Sequence, residues 1–411
     1  MIRIGMYGIA GVYNLGCEAI IRGTYFLDEY ISNEVKWIYF SPNANEDKLK
    51  LNDLPIDVIQ TKRKNVLIKK VINKIFDIFK VDRQIPYDDY KDILNQCDIV
   101  ISIGGDIYTI AEYQRNKNKY PYHNRMVEFG ELAFKMNKNI VIYGASIGPF
   151  GDYKKAVNYY KGHLSKVNAI FVRESGSINY LKELGVQDNV YFLPDPAFTL
   201  TGKVNKNEGK SKQDIIGINM SGLSILETYG EVTQDTIENL SNIVKKIIDI
   251  TDCDLLFVPH VFAKHDIDND YFIMNKIHTS ISPEYRARIT ISSSKDFLSV
   301  KKDLLKCKMV IAARMHCAIN AMSEGIPTIL LSYSSKAMGM CEFVYNSYEW
   351  VYNIKNIDKD DFLDLIVKML KDNERIHKEI INNLNQKLGY QANLKSYKIL
   401  DRIFANTRGI K

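Results

Sequence analysis

Short apolar runs rich in Ile and Val alternate along the chain with longer stretches whose apolar positions recur at helical intervals. Strands buried on both faces of a parallel sheet read as continuous apolar runs, and crossover helices carry the 3.6-residue period. The pattern therefore predicts an α/β chain. Strands are expected at 2–7, 35–40, 99–103, 140–143, 169–172 and 190–193, and a second series at 215–219, 255–258, 289–291, 309–312 and 328–331. Between the two series, TGKVNKNEGKSKQ (201–213) holds almost no large apolar residue and cannot pack a core. It is expected to link two doubly wound, Rossmann-like domains, 1–200 and 214–357, facing across a cleft. The Lys-, Glu- and Leu-rich periodic stretch 358–411 is expected to form helices that brace both.

A length of 411 residues with 46% hydrophobic and 25% charged composition suits two globular domains with large cores. The 55 Lys+Arg against 49 Asp+Glu give a formal charge of +6, enough for small anions or a membrane surface and no argument for nucleic acid. The six cysteines are scattered without a C-x-x-C pair, which reads as buried reduced thiols. MIRIGMYGIAG runs directly into a strand and glycine turn, unlike a signal peptide, and no apolar stretch reaches bilayer-spanning length, so a cytoplasmic location is expected.

Chemistry-bearing motifs fall where strands end. The first strand leads into Gly8-Ile9-Ala10-Gly11-Val12-Tyr13-Asn14-Leu15-Gly16-Cys17-Glu18, which lacks dinucleotide spacing and serves either as an ordinary βα turn or as a place for close ligand approach. Gly104-Gly105-Asp106 follows another buried strand, with Asp106 either a turn residue or a hydroxyl acceptor. Ser146-Ile147-Gly148-Pro149 and Arg173 follow two more. An arginine at a buried strand end must meet an anion, whether a ligand or a protein carboxylate such as Glu174. Asp195, between two prolines, reads as a turn residue.

The densest group is Arg314-Met315-His316, followed by Glu324-Gly325-Ile326-Pro327 and Lys336, with His260 at a further strand end. Three cations from neighbouring loops would suit a substrate carrying both a phosphate and a carboxylate. His265, Asp266, Asp268 and Asp270 resemble a metal cluster, but acidic helix starts commonly act as caps, and no metal is expected.

In these residues the chain resembles the polysaccharide pyruvyl transferase family, from the first strand to about residue 345: Asn14 to Ile20, Gly104-Gly105, Ser146 to Pro149, Arg173, Asp195 to Phe198, Arg314-x-His316, Gly325-x-Pro327 and Lys336. Cys17 and Asp106 depart from the family pattern. The resemblance implies a GT-B-like pair of domains and transfer of the pyruvyl group of phosphoenolpyruvate, without a further cofactor, onto a sugar of a surface or capsular glycan precursor.

On that basis His316, Arg173 and Arg314 are expected to be catalytic, with Arg314, Lys336, His260, Glu324 and Ser146 on the donor. Acceptor binding falls by elimination to the N-terminal domain, through Asn14, Gly16, Glu18, Gly104, Gly105 and Asp106. The acceptor is either a sugar or a lipid-linked glycan. Residues 62–80 carry seven basic residues and one Asp over helically spaced apolar positions, which reads either as a peripheral contact with the inner membrane face or as a solvated domain helix. A nucleotide-sugar glycosyltransferase with Glu324 on a ribose, and a non-catalytic glycan-binding protein, are the competing readings.

Overall fold

Both series of strands assemble into parallel sheets in the computed structural model, which describes residues 1–79, 81, 85–115, 120–202, 214–332 and 336–407. The first sheet comprises β1 (Ile2–Tyr7), β2 (Val35–Ser41), β3 (Asp57–Gln60), β4 (Ile99–Ile103), β5 (Asn139–Ala145), β6 (Ala169–Val172) and β7 (Val190–Phe192), in the order β3-β2-β1-β4-β5-β6-β7. The second comprises β8 (Ile215–Asn219), β9 (Asp254–Phe257), β10 (Ile289–Ile291), β11 (Met309–Ala312), β12 (Thr328–Ser332) and β13 (Val351–Asn353), in the order β10-β9-β8-β11-β12-β13. Each is the doubly wound Rossmann arrangement, in which strand order reverses beside the first strand and leaves a crevice at the carboxyl ends.

Two strands lack the apolar run that betrays the others. β3 and β13 are edge strands, and their residues are mostly half-buried or exposed, because one side of each has no neighbour. The central strands are buried throughout: β4 and β11 show no exposed residue. Apolar burial of that extent supplies the main driving force for each sheet.

The chain divides into two compact units that do not follow it end to end. The first holds Met1–Val12, Ile20–Pro196 and Tyr390–Lys411, and the second Tyr13–Ala19 and Ala197–Gly389. In the first unit the helix Tyr390–Thr407 lies along the β7 side, where Ser396 donates to the Phe192 carbonyl at 2.7 Å and Tyr397 stacks on Tyr30. In the second, His377 of the helix Asn373–Leu388 meets the Gly325 carbonyl at 2.6 Å. From residue 203 onward the stretch expected as a linker lies outside the described residues. All six cysteines are free thiols, and burial lifts those of Cys97, Cys307 and Cys341 to about 12, which keeps them inert.

Candidate functional site

In the second unit the loops after β8, β9 and β11 converge at the reversal of strand order. Asn219, the last residue of β8, ties them together: its Nδ2 donates to the Val258 carbonyl at 2.9 Å and to Asp270 Oδ2 at 3.3 Å, while its Oδ1 accepts from the Arg314 backbone N–H at 2.9 Å. Arg314 ends the strand side of the turn and His316 is the second residue of the helix Met315–Met322.

The Arg314 guanidinium meets two carboxylates of its own unit. Its Nε and Nη2 donate to Asp270 Oδ1 at 3.1 and 2.9 Å, and Nη2 also reaches Asp268 Oδ1 at 2.9 Å. Asp270 is fully buried and takes, on its other oxygen, the backbone N–H groups of His260 and Val261 at 3.0 and 3.1 Å. Burial raises the Asp270 pKa, and Arg314 pulls it down. The acidic stretch read as helix caps thus splits: Asn269 caps the helix Asp270–Ser280, while Asp268 and Asp270 neutralise Arg314. Arg314, expected on the donor, therefore has its charge compensated by carboxylates inside the unit.

His260 is buried, and neither ring nitrogen meets a hydrogen-bond partner among the described residues. Burial above all, then the charges of His316 and Arg314, press its pKa down to about 3, with the His316 backbone working the other way. It is therefore a neutral imidazole beside His316, set edge-on to Phe297 at 5.9 Å between centroids.

The Asn14 motif completes this cluster. Leu15 N–H donates to the His260 carbonyl at 2.9 Å, Phe262 N–H to the Tyr13 carbonyl at 3.0 Å, and Asn14 pairs with Val261 in an antiparallel bridge. Asn14 Oδ1 accepts from Gly16 N–H at 2.9 Å and so turns the chain into its helix. Gly16 packs on His316: a Cβ there would lie 2.5 Å from Nδ1, so only glycine fits. Glu18 is buried and accepts from Phe297 N–H at 3.1 Å, at the N-terminus of the helix Phe297–Leu304, where a carboxylate is favoured. Asn14, Gly16 and Glu18 were expected on an acceptor surface of the N-terminal domain; they instead form part of the second unit and support His260 and His316.

Glu324 is also occupied. It pairs with Lys301 at 3.2 Å, both side chains fully buried, and accepts from Gly202 N–H at 2.8 Å. Lys336 opens the helix Lys336–Tyr345, and its side chain lies outside what is described.

The first unit gathers the remaining candidates around Arg173, just past β6. Its Nη1 donates to the fully buried Asp195 at 2.6 Å, its Nε and Nη2 to Ser146 Oγ at 3.2 and 3.0 Å, and Asp106 lies 3.6 Å from Nη2. Asp195, read as a turn residue, is the principal counter-ion. Gly105 lets the guanidinium approach, since its Cβ would stand 3.1 Å from Nη2, while Gly104 takes φ +140°. Despite the desolvation that disfavours its charge, Asp195, Asp106 and Glu174 hold the Arg173 pKa above its ordinary value.

A cavity of about 550 Å³ in the same unit lies at the carboxyl ends of β1 and β4, lined by Tyr7, Asp88, Asp106, Asn124 and Arg125 among others. That volume and that place, at the reversal of strand order, are those of a small-ligand site. Tyr7 Oη donates to Asp88 at 2.9 Å, Arg63 reaches the same carboxylate at 3.3 Å, and Arg125 Nη2 donates to the Gly8 carbonyl at 3.3 Å. Of its lining, Asp106 and Arg63, the latter in the basic stretch 62–80, belong to features legible in the sequence, whereas residues 85–90 and 123–128 carry no recognisable motif.

Two Rossmann-like sheets, each with polar side chains assembled at its strand-order reversal, define a GT-B-type fold. Solved structures share it: S. aureus MnaA in a co-structure with UDP (TM-score 0.55, 14% identity, covering 92% of this chain and 90% of that one) and Anabaena Alr3699/HepE in complex with UDP-glucose (TM-score 0.55, 11% identity, covering 100% of both). The model of the polysaccharide pyruvyl transferase family matches residues 14–335, and the chain belongs to that family. It is 22% identical over 365 residues to the amylovoran biosynthesis protein AmsJ of Erwinia amylovora, covering 80% of this chain and 82% of that protein.

Proposed function

We propose that the protein transfers the pyruvyl group of phosphoenolpyruvate onto two hydroxyls of one sugar in a surface or capsular glycan precursor, forming a ketal and releasing phosphate in the cytoplasm. The observation that carries this reading is the family match together with the placement of His316, on a helix start beside neutral His260 and against Gly16.

The donor's methylene carbon takes a proton, which leaves cationic character at C2. One sugar hydroxyl adds to C2 and gives up its proton. The C2–O bond to phosphate then breaks, and the second hydroxyl closes the ring, its proton leaving with the phosphate. His316 is assigned the proton transfer, since an imidazole has one nitrogen that can accept a proton and one that can donate it. Lys336 and the first N–H groups of the helix Met315–Met322 are assigned to the donor's anionic groups. Arg314 and Arg173, each locked to carboxylates, act as positioning residues, and the acceptor sugar is assigned to the cavity at Tyr7, Asp106 and Arg125.

The glycosyltransferase alternative needs Glu324 on a ribose, and the buried Lys301 pair takes that carboxylate away. Phosphate release is the deciding measurement. With a mixture of glycan precursors, phosphoenolpyruvate should yield inorganic phosphate and acid-labile pyruvate on the sugar, and His316→Ala should abolish both. Release of UDP from a UDP-sugar instead would establish the rival, and no turnover with either donor would leave a binding protein.

A further inference from the structure

We infer that the helix Val66–Ile78 docks the first unit on an anionic membrane surface. An ordinary surface helix turns its apolar stripe toward the core and its polar residues toward water. This one turns a second apolar stripe toward water. At about 100° per residue, Leu67, Ile68, Val71, Ile75 and Ile78 occupy a single arc of roughly 100°. All five are exposed, from 44% at Ile75 to 79% at Leu67, and exposed Phe79 continues the arc.

The face turned inward is mixed: half-buried Val66, Ile72 and Phe76 share it with two polar side chains that hold specific partners. Asn73, only 6% exposed, exchanges hydrogen bonds with the Ile85 backbone at 3.1 and 2.7 Å, and Lys69 Nζ donates to the Pro86 carbonyl at 2.7 Å. These bonds fix which arc points outward, so the exposed apolar stripe is held in place.

Charge selects the occupant. Lys70 and Lys74 border the stripe, and neither has a carboxylate partner among the described residues. An apolar arc edged by lysines fits the boundary between acyl chains and negatively charged headgroups. The helix lies in that boundary, since no described helix is long and apolar enough to cross a membrane.

The docking element also carries a wall of the first unit's cavity, because Lys69 and Asn73 hold the backbone of residues that line it, Ile85 and Pro86. Docking therefore brings that cavity to the bilayer and favours a lipid-linked saccharide as acceptor. This last step rests on the transferase reading, whereas docking itself does not.

The test is co-sedimentation of the full chain with phosphatidylcholine vesicles, with and without phosphatidylglycerol. Neither donor nor acceptor is present, so its failure and that of the transferase reading are distinguished. The wild-type chain should sediment with the anionic vesicles. Leu67→Ser/Val71→Ser/Ile75→Ser/Ile78→Ser should lose at least about tenfold in partitioning with Tm unchanged, since the altered side chains are exposed. Lys70→Glu/Lys74→Glu should weaken binding to anionic vesicles and leave binding to neutral ones as it was, and this pair decides alone if the serine variant unfolds. Absence of wild-type binding, or equal binding by the variants, overturns the proposal. A concentration-dependent dimer that the serine variant abolishes, without vesicle binding, would give the face to a second copy and overturn it too.

Discussion

Gly16 stands against the imidazole of His316 so closely that a Cβ would come within 2.5 Å of Nδ1. The glycine is thus a spacer for the histidine ring, 300 residues further along the chain. Gly16→Ala should displace the ring, cost about 1–3 kcal/mol of stability and lower transfer activity at least tenfold. Steady-state phosphate release and urea denaturation check this. Near-normal turnover in the alanine variant would detach the Gly16 contact from function.

Asp270 makes Arg314 a pH-sensitive position. Its folded pKa is raised by burial, so the folded state holds the proton more tightly than the unfolded one, and stability falls as pH climbs through that raised value. Arg314→Ala removes the charge that opposes the shift. The variant should lose about 3–5 kcal/mol at pH 8 and recover part of it at an acid pH, as Asp270 becomes protonated. Equal losses at the two pH values, by urea denaturation, would show that Asp270 is not the partner that matters.

His260 behaves in the opposite sense to Asp270. Its folded pKa of about 3 lies below the ordinary imidazole value of about 6.5. The stability that goes with a neutral ring is complete above the ordinary value and drains away as pH falls toward the folded one. His260→Gln should reduce the slope of stability against pH by up to ~1.4 kcal/mol per unit between about pH 6 and pH 4. Residual slope from His163 of the first unit, lowered to about 4 by burial, should persist. Unfolding free energies measured across that range that keep the wild-type slope would remove His260 from the account.

Arg173→Ala leaves the buried Asp195 carboxylate without its guanidinium and Ser146 without its two donors. A loss of about 3–5 kcal/mol is expected, and Arg173→Lys, which keeps the charge without the planar fork, should recover only part of it. Chemical denaturation of both variants tests this. If instead stability holds and only the KM for phosphoenolpyruvate rises, Arg173 is a donor ligand and the positioning role fails.

Sequence alone determined the central strands, the class of fold and, in the second unit's cluster, Arg314, His316 and His260, because buried parallel strands need continuous apolar runs and strand-end motifs need particular side chains; Asn219 and the roles of Asp268, Asp270, Asn14, Gly16 and Glu18 there emerged only on folding. Edge strands β3 and β13 escaped, since these short segments, Asp57–Gln60 and Val351–Asn353, end in polar residues and hold no long apolar run. What tertiary structure decided was pairing. Arg314 meets Asp270 across 44 residues and Arg173 meets Asp195 across 22, and no local pattern says whether a strand-end cation faces ligand or carboxylate. Likewise the period of residues 66–78 shows that an apolar arc exists, while the bonds of Asn73 and Lys69 settle which way it turns. Periodicity is a property of one element; the partner that covers a face or neutralises a charge is chosen only when distant segments pack.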